Sequence, residues 1–284
     1  MTNTTQLEEI AVQALKESNR VIKSLGAGAS EHLKHPNQFG EVKERGDVEA
    51  EKAVIDTLRK AKVPIRIYSE EHGLVDAGTN PQYLGVLDGL DGPPSNKNRY
   101  GTMFGIFSNT NPKYGDYLFN GIMEHNPQRL FFVSRGKGSF VISADGKRQP
   151  IHCSKNTKLD RKSTRIYADV VFDEAMNSTF IRDTFLSKLR GFDVNYLLSS
   201  AAHYADLASG QVDLVLECTR KLNLEIAASF GLVNEAGGVM LANDGTNLYN
   251  KKYLQFGQTT YIPVITASTK ELAGQLINHI KDKY

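Results

Sequence analysis

The second half of the chain alternates apolar stretches of strand length with longer stretches of helical periodicity, and this alternation constrains the fold more than any other feature. The apolar stretches predict buried strands, and glycines after two of the periodic stretches predict helix ends. The predicted strands are residues 164–172, 212–218 and 261–268, and the predicted helices are residues 199–210, 223–238 and 270–284. Elements that alternate in this way pack as layers, so the sequence predicts an α/β fold.

The first half places its helices before most of its strands. Apolar residues recur at helical spacing over residues 6–25 and 47–61, which predicts two amphipathic helices. Strand patterns follow at residues 64–73, 83–89, 102–108, 118–124 and 129–143, and glycines in the last stretch predict a hairpin. We expect a boundary near residue 150, which divides the chain into an N-terminal α+β subdomain (1–150) and a C-terminal α/β subdomain (151–284) with no flexible linker.

The charge balance and the lack of long apolar runs argue against several classes of protein. Lys and Arg number 34 against 32 Asp and Glu, and the net charge of +2 comes without a basic block, so we expect no nucleic-acid partner. Cys153 and Cys218 are far apart in the sequence, as expected of two reduced thiols in a cytosolic protein. No apolar run approaches the roughly 20 residues that cross a bilayer, and the first residues lack a signal-peptide pattern. We therefore expect a soluble, cytoplasmic protein with no membrane partner.

Carboxylates stand where predicted strands end or predicted helices begin, and α/β folds collect their ligands at such ends. The residues concerned are Asp47, Glu70, Glu71, Asp88, Asp91 and Glu225. Several carboxylates in one crevice repel each other unless a cation intervenes, and Mg²⁺ prefers oxygen ligands. Two such cations held about 4 Å apart form a phosphoryl-transfer site. The pattern therefore favours a carboxylate-lined Mg²⁺ site.

Each of these carboxylates also has a simpler interpretation when it is considered alone. Asp88 and Asp91 both precede glycine, which makes a common turn dipeptide. Asp47 is placed to cap a helix, and the glutamate pair is typical of a solvated loop end. Glu225 lies in an otherwise apolar helix, where a carboxylate needs a partner. The combination, rather than any single residue, favours the metal site.

Several motifs, taken in order, resemble the inositol monophosphatase and fructose-1,6-bisphosphatase superfamily. They are "DVEAEKAVIDTL", "IYSEEHG", "GVLDGLDG", "GKGSF" with "IHCS", "SSAAHYADLASGQVDLVLE" and "NLEIAASFGLVNEAGG", and they run over residues 40–245. The details are closest to fructose-1,6-bisphosphatase, including its archaeal form. The resemblance implies an α-β-α-β-α sandwich of the sugar phosphatase type.

The resemblance also implies a Mg²⁺-dependent phosphoric monoester hydrolase, which acts on a sugar phosphate or bisphosphate through a metal-activated water. Two or three Mg²⁺ ions, or Mn²⁺, would bind mostly to the N-terminal subdomain, and the protein would be a homodimer or homotetramer. The implied metal ligands are Glu70, Asp88, the Leu90 carbonyl, Asp91 and Glu225. The implied catalytic residues are Asp47 and Glu71, and the implied substrate contacts include Ser200, Ala201, Arg220 and Lys221.

The chain departs from the family pattern at several positions, and three of these departures bear on the site; the replacement of glycines by Ser199 and Ser229 is minor. Pro93 stands where Ser or Thr usually offers the phosphate a hydroxyl and an N–H, which leaves Gly92 and Ser95 as candidates for phosphate binding. Glu44 replaces a Thr and is a candidate acid or base, or an extra charge that spoils the site. Gly89 replaces a usual proline, which predicts a loss of rigidity only. These departures leave an alternative open, a catalytically degenerate member that binds a metal or a phosphorylated ligand and acts as a regulatory protein.

Overall fold

The computed structural model describes residues 4–94, 98–168 and 187–281. The helices are α1 (Thr4–Leu25), α2 (Arg45–Lys60), α3 (Ser200–Ala208), α4 (Leu224–Glu235) and α5 (Lys270–Lys281). The strands up to residue 150 are β1 (Ile65–Ser69), β2 (Gly73–Asp76), β3 (Tyr83–Asp91), β4 (Gly101–Phe107), β5 (Tyr117–Glu124), β6 (Arg129–Ser134), β7 (Ser139–Ile142) and β8 (Arg148–Pro150). The later strands are β9 (Ile166–Ala168), β10 (Val194–Tyr196), β11 (Leu214–Cys218), β12 (Val239–Ala242) and β13 (Pro263–Ala267).

Two sheets divide these strands between them. The first sheet has the order β2-β1-β3-β4-β5-β6-β7-β8, and within it only the β1–β3 pair is parallel. The second sheet has the order β10-β9-β11-β13-β12, in which β9, β10 and β11 run parallel and β13 runs antiparallel to both of its neighbours. The carboxyl ends of β9, β10 and β11 therefore meet at one edge of the second sheet.

The helices fill the spaces around the two sheets. Helices α1 and α2 bury their apolar residues against one face of the first sheet, while α3 and α4 lie between the two sheets. Helix α5 packs Leu272 and Leu276 against Leu216 and Ile265 of the second sheet. The order of layers is helix, sheet, helix, sheet, helix, which confirms the predicted α-β-α-β-α sandwich. None of the helices among the described residues is both long enough and apolar enough to cross a bilayer.

The structure corrects the prediction mainly at the edges of the sheets. Strands β2, β8, β10 and β12 were missed, and each of them is the outermost strand of its sheet. These strands have three or four residues, and β2, β8 and β10 are largely exposed or half-buried, so they lack the apolar pattern by which a strand is recognised. The strand predicted at 164–172 begins at Ile166 and is described as far as Ala168, and residues 169–172 lie outside the described part of the chain.

The predicted boundary near residue 150 falls between the two sheets, since the first ends at Pro150 and the second begins at Ile166. One apolar core nevertheless joins both halves, because Val86 and Met103 of the first sheet belong to the same buried cluster as Val264 of the second. The division into two subdomains stays a prediction.

Candidate metal-binding active site

Three elements bring the central carboxylates together. Glu70 directly follows β1, Asp88 lies within β3, and Glu225 lies in the first turn of α4. Strands β1 and β3 are parallel neighbours with Ser69 paired to Leu87, so Glu70 emerges beside Asp88. Carboxylate oxygens of Glu70, Asp88 and Glu225 all lie within 4.8 Å of one another, and all three residues are buried. The structure thus brings Glu225 beside two carboxylates that stand more than a hundred positions earlier in the sequence.

Burial and mutual repulsion raise the pKa of these carboxyl groups. Burial raises the pKa of Asp88 well above its usual range, and repulsion from Glu70 and Asp91 adds to the effect. Burial likewise raises the pKa of Glu70 to about 8 and that of Asp91 to about 7. Oδ1 of Asp88 is buried and has no hydrogen-bond partner among the described residues. This oxygen and this density of negative charge fit a hard divalent cation, which binds carboxylate oxygens and removes their repulsion.

Asp91 is held by the start of helix α3. The pairing of β3 with β4 shifts register between Asp88 and Asp91, a local irregularity of the kind that re-aims side chains next to active sites. Oδ2 of Asp91 accepts hydrogen bonds from Ser199 Oγ at 2.8 Å and from the Ala201 N–H at 2.6 Å. Gly92 follows with a φ of +94°, and a Cβ at this position would lie 2.8 Å from Ser199 Cβ. One oxygen of Asp91 is therefore held by the start of α3.

Helix α2 approaches strand β3 at Gly89, at the place where relatives of the resembled family have proline. Oδ1 of Asp47 accepts a hydrogen bond from the Leu90 N–H at 3.0 Å. A Cβ on Gly89 would lie 2.3 Å from Oδ1 of Asp47 and 2.4 Å from its backbone oxygen. The contact between α2 and β3 therefore leaves no room for a side chain at Gly89, a steric requirement that the sequence analysis missed, while the predicted loss of rigidity stays a prediction.

Glu51 is a buried carboxylate that sequence reasoning missed. It accepts hydrogen bonds from the backbone N–H groups of Glu70 at 2.9 Å and Glu71 at 3.1 Å, and it also accepts one from the Ser69 hydroxyl. Nδ1 of His72 lies 2.8 Å from the same carboxylate. Glu51 thereby fixes the turn that presents Glu70 and Glu71. Glu51 lies one helical turn after Asp47, the acidic residue in the first turn of α2, and this spacing could have indicated that the two carboxylates share one face of the helix.

The candidate acid–base residues lie at the start of α2 and in the turn after β1. Desolvation raises the pKa of Asp47 well above its usual range, with further repulsion from Glu51. Burial also raises the pKa of Glu71, whose Oε1 accepts a hydrogen bond from Asn37 at 3.1 Å and whose Oε2 lies 3.7 Å from Lys43 Nζ. Raised pKa values make these carboxylates better proton acceptors once they are ionised.

Glu44 occupies the residue before helix α2, where its side chain makes no capping hydrogen bond. Its Oε1 lies 3.9 Å from His32 Nε2, and its side chain is 30% exposed. The structure therefore pairs Glu44 with a histidine at the surface, and an acid–base role for Glu44 stays a prediction.

Two cations face the carboxylates from the segment that precedes α4. Nη2 of Arg220 lies 3.8 Å from Oε1 of Glu225, and Nζ of Lys221 lies 3.1 Å from Oε1 of Glu70. Lys221 also contacts the carboxylate of Glu41. Both side chains thus pair with acidic groups of the site. Their predicted contact with a second phosphate or with sugar hydroxyls stays a prediction.

The remaining predicted substrate contacts are buried or lie outside the described residues. The Ser200 hydroxyl donates a hydrogen bond to Glu217 at 2.8 Å, and the Tyr204 hydroxyl donates to the same carboxylate. Glu217, at the end of strand β11, was missed because its stretch matches an ordinary buried strand. Ser95 lies outside the described residues, so the path of the chain after the two prolines is not described.

Known proteins resemble this chain in sequence and in fold. A model of the inositol monophosphatase family matches residues 3–283. The chain is 25% identical over 254 residues to a "Bifunctional NADP phosphatase/NAD kinase" of Methanococcus maripaludis, a match that covers 84% of this chain but only 43% of that protein. It is 27% identical over 212 residues to a "Fructose-1,6-bisphosphatase/inositol-1-monophosphatase" of Methanothermobacter thermautotrophicus, with 70% of each chain covered.

Solved structures share the fold over nearly the whole chain. The extragenic suppressor protein suhB from Bartonella henselae superposes with a TM-score of 0.75 at 19% identity and covers 98% of this chain and 99% of its own. The inositol monophosphatase from Anabaena superposes with a TM-score of 0.72 at 20% identity and covers 98% and 96%. At these identities the likeness establishes the fold.

Proposed function

Because the chain belongs to the inositol monophosphatase family, we propose that it is a metal-dependent phosphatase that hydrolyses a sugar phosphate or a sugar bisphosphate. The observation that carries this proposal is the convergence of Glu70, Asp88 and Glu225 within 4.8 Å, with one Asp88 oxygen buried and unpartnered among the described residues. A structural carboxylate would normally be paired or hydrogen-bonded in such a place. A cluster that repels itself is instead suited to binding cations.

We propose that Glu70, Asp88 and Glu225 hold one cation, and that the Oδ1 oxygen of Asp91 and the Leu90 carbonyl serve a second. Oxygen ligands of this kind suit Mg²⁺ or Mn²⁺, and two or three ions remain our prediction. When bound, divalent cations lower the pKa of a water molecule and neutralise negative charge on a phosphoryl group.

Asp47 and Glu71 are the proposed proton acceptors of the reaction. The Leu90 N–H holds Oδ1 of Asp47 in place, and the Asn37 amide does the same for Oε1 of Glu71. Glu51 accepts a hydrogen bond from the backbone N–H of Glu71 and so holds its backbone. These contacts limit the movement of both carboxylates, and such pre-positioning is how a general base gains efficiency.

The substrate contacts follow from the groups around this cluster. Gly92, Ser95, Ser200 and Ala201 stay proposed contacts for the phosphate or the sugar, and the segment with Arg220 is the proposed source of positive charge. The expected cytoplasmic location and the expected homodimer or homotetramer also remain predictions.

The experiment measures phosphate release by the purified protein with Mg²⁺ or Mn²⁺. The substrates are fructose-1,6-bisphosphate, inositol-1-phosphate and NADP, the last because one similar protein carries an NADP phosphatase name. Asp88→Asn serves as the control because it keeps the shape of the side chain and removes its charge. Turnover that the variant loses would support the proposal. A folded wild-type protein that binds metal but releases no phosphate would favour the alternative, a regulatory protein that binds metal or a phosphorylated ligand.

A further inference from the structure

Three consecutive residues before α4 adopt the left-handed backbone conformation although none of them is glycine. Their φ angles are 40° at Lys221, 68° at Leu222 and 54° at Asn223. Such values are uncommon for residues with a side chain, and a run of three is rarer still. Strained backbone of this kind persists only where the surrounding structure enforces it, and it clusters at functional sites.

Hydrogen bonds to one other segment, which contains Tyr253 and Phe256, and one local hydrogen bond enforce this conformation. The Asn223 amide donates to the Phe256 carbonyl, and its Oδ1 accepts the Arg220 N–H at 2.8 Å. The Tyr253 hydroxyl donates to the Leu222 carbonyl at 2.7 Å. Because Arg220 and Leu222, the residues on either side of Lys221, are both tied down, the backbone from which the Lys221 side chain projects is held in place.

This backbone carries the Lys221 ammonium into the acidic cluster. Nζ lies 3.1 Å from Glu70, one of the three converging carboxylates, and also contacts Glu41. Burial lowers the pKa of Lys221, but the two glutamates outweigh this effect and keep the pKa above its usual value, so the side chain is charged. The ammonium therefore neutralises part of the cluster without any metal.

We propose that Lys221 is a resident cation of the active site that competes with divalent metal for Glu70 and so sets the metal affinity of the enzyme. This inference rests on the proposed metal-dependent function. An ammonium and a divalent cation repel each other, and both draw on the same carboxylate. Metal binding must therefore weaken or displace the Lys221–Glu70 contact, and removal of the ammonium should make the metal bind more tightly.

Lys43 provides a matched control. Its ammonium lies 3.7 Å from Glu71, which is outside the three converging carboxylates, and its side chain is 20% exposed against 25% for Lys221. Lys43→Met therefore removes the same charge from the same region without removing a competitor for Glu70.

The experiment is isothermal titration calorimetry of Mg²⁺ and of Mn²⁺ into wild type, Lys221→Met, Lys221→Arg and Lys43→Met. We expect the Kd of Lys221→Met to fall at least tenfold, about 1.4 kcal/mol at 25 °C. Lys221→Arg and Lys43→Met should stay within about threefold of wild type. As an independent readout, Lys221→Met should melt at a lower temperature than wild type in EDTA and should gain more on addition of Mg²⁺. Lys221→Gln replaces Lys221→Met if the latter does not fold.

An unchanged or higher Kd in Lys221→Met would overturn the inference and would leave Lys221 as a substrate contact or a structural residue. An equal gain in Lys43→Met would also overturn it, because the effect would then be one of overall charge. If neither wild type nor Lys221→Met binds metal, the proposed metal-dependent function fails and the inference fails with it. A wild type that binds metal without hydrolysing any substrate contradicts only the proposed activity, so the two failures can be distinguished.

Discussion

Replacement of Gly89 by alanine should force helix α2 away from strand β3 and so weaken both the fold and the active site. The new Cβ would lie 2.3 Å from Oδ1 of Asp47, 2.4 Å from the Asp47 backbone oxygen and 2.8 Å from Cγ of Glu51. Real Cβ contacts are not this short, and a backbone oxygen cannot turn away as a side chain can. The helix itself must move, and it carries the proposed base Asp47 with it.

Two opposing contributions determine how much Gly89→Ala changes the free energy of unfolding. Overpacking a tight contact costs about 1–3 kcal/mol, and the backbone clash puts this case at the upper end. Alanine also lowers the entropy of the unfolded chain, which offsets about 0.4–1 kcal/mol. We therefore expect a net loss of about 2 kcal/mol, which lowers the Tm by about 4–8 °C for a protein of this size. A displacement of about 1 Å at the base should lower kcat/KM about 100-fold.

Thermal unfolding and phosphate-release kinetics test this prediction, with Gly274→Ala as the control. Gly274 lies within helix α5, and a Cβ there would meet nothing within 4 Å. Alanine should stabilise this helix by about 1 kcal/mol and leave turnover unchanged. A Gly89→Ala protein with the Tm and kcat/KM of wild type would refute the reasoning, because α2 would then have room that the structure does not show.

Three further predictions follow from the buried carboxylates. Asp88→Asn should lower phosphate release at least about 10³-fold, and full activity would contradict the metal site. The same variant should have a higher Tm in EDTA, because a buried amide needs neither a charge nor the uptake of a proton on folding. In EDTA the Tm should fall as the pH rises from 5 to 9. The folded pKa of Asp91 is about 7 and that of Glu70 about 8, so the folded protein holds these protons more tightly than the unfolded chain does. The resulting stabilisation is complete below pH about 4 and is lost as the pH passes 7 to 8. Excess Mg²⁺ should remove this decline, since cations bind the ionised carboxylates; a Tm in EDTA that rises over the same interval would show that the sign is wrong. Glu51→Gln should lower the free energy of unfolding by about 2–4 kcal/mol in denaturant titrations and should weaken Mg²⁺ binding. The reason is that an amide cannot accept all the hydrogen bonds that the carboxylate accepts. A wild-type free energy of unfolding together with a wild-type Mg²⁺ affinity would exclude a positioning role.

The sequence by itself determined the central strands, the long helices and the convergence of acids at strand ends. These features depend on local patterns: apolar periodicity defines each central strand and helix, and the carboxyl ends of neighbouring parallel strands necessarily meet. The sequence placed Glu70 and Asp88 near the ends of two predicted strands, whereas the parallel pairing of β1 with β3 that sets them side by side is known only from the structure. The helices starting near Asp47 and Glu225 were predicted within a few residues of their observed bounds.

Only the tertiary structure decided how these pieces meet. The edge strands β2, β8 and β10 had no apolar pattern because they are short and their residues are incompletely buried, while β12 is apolar but has only four residues. The sequence suggested only flexibility at Gly89, whereas the structure shows helix α2 in close contact with it. Sequence reasoning did not single out Glu51, whereas the structure shows that it accepts a hydrogen bond from the Glu70 N–H. Lys221 reaches Glu70 through a backbone conformation that no residue pattern announces. Each of these contacts joins residues far apart in the chain, and their energies arise only when the layers pack together.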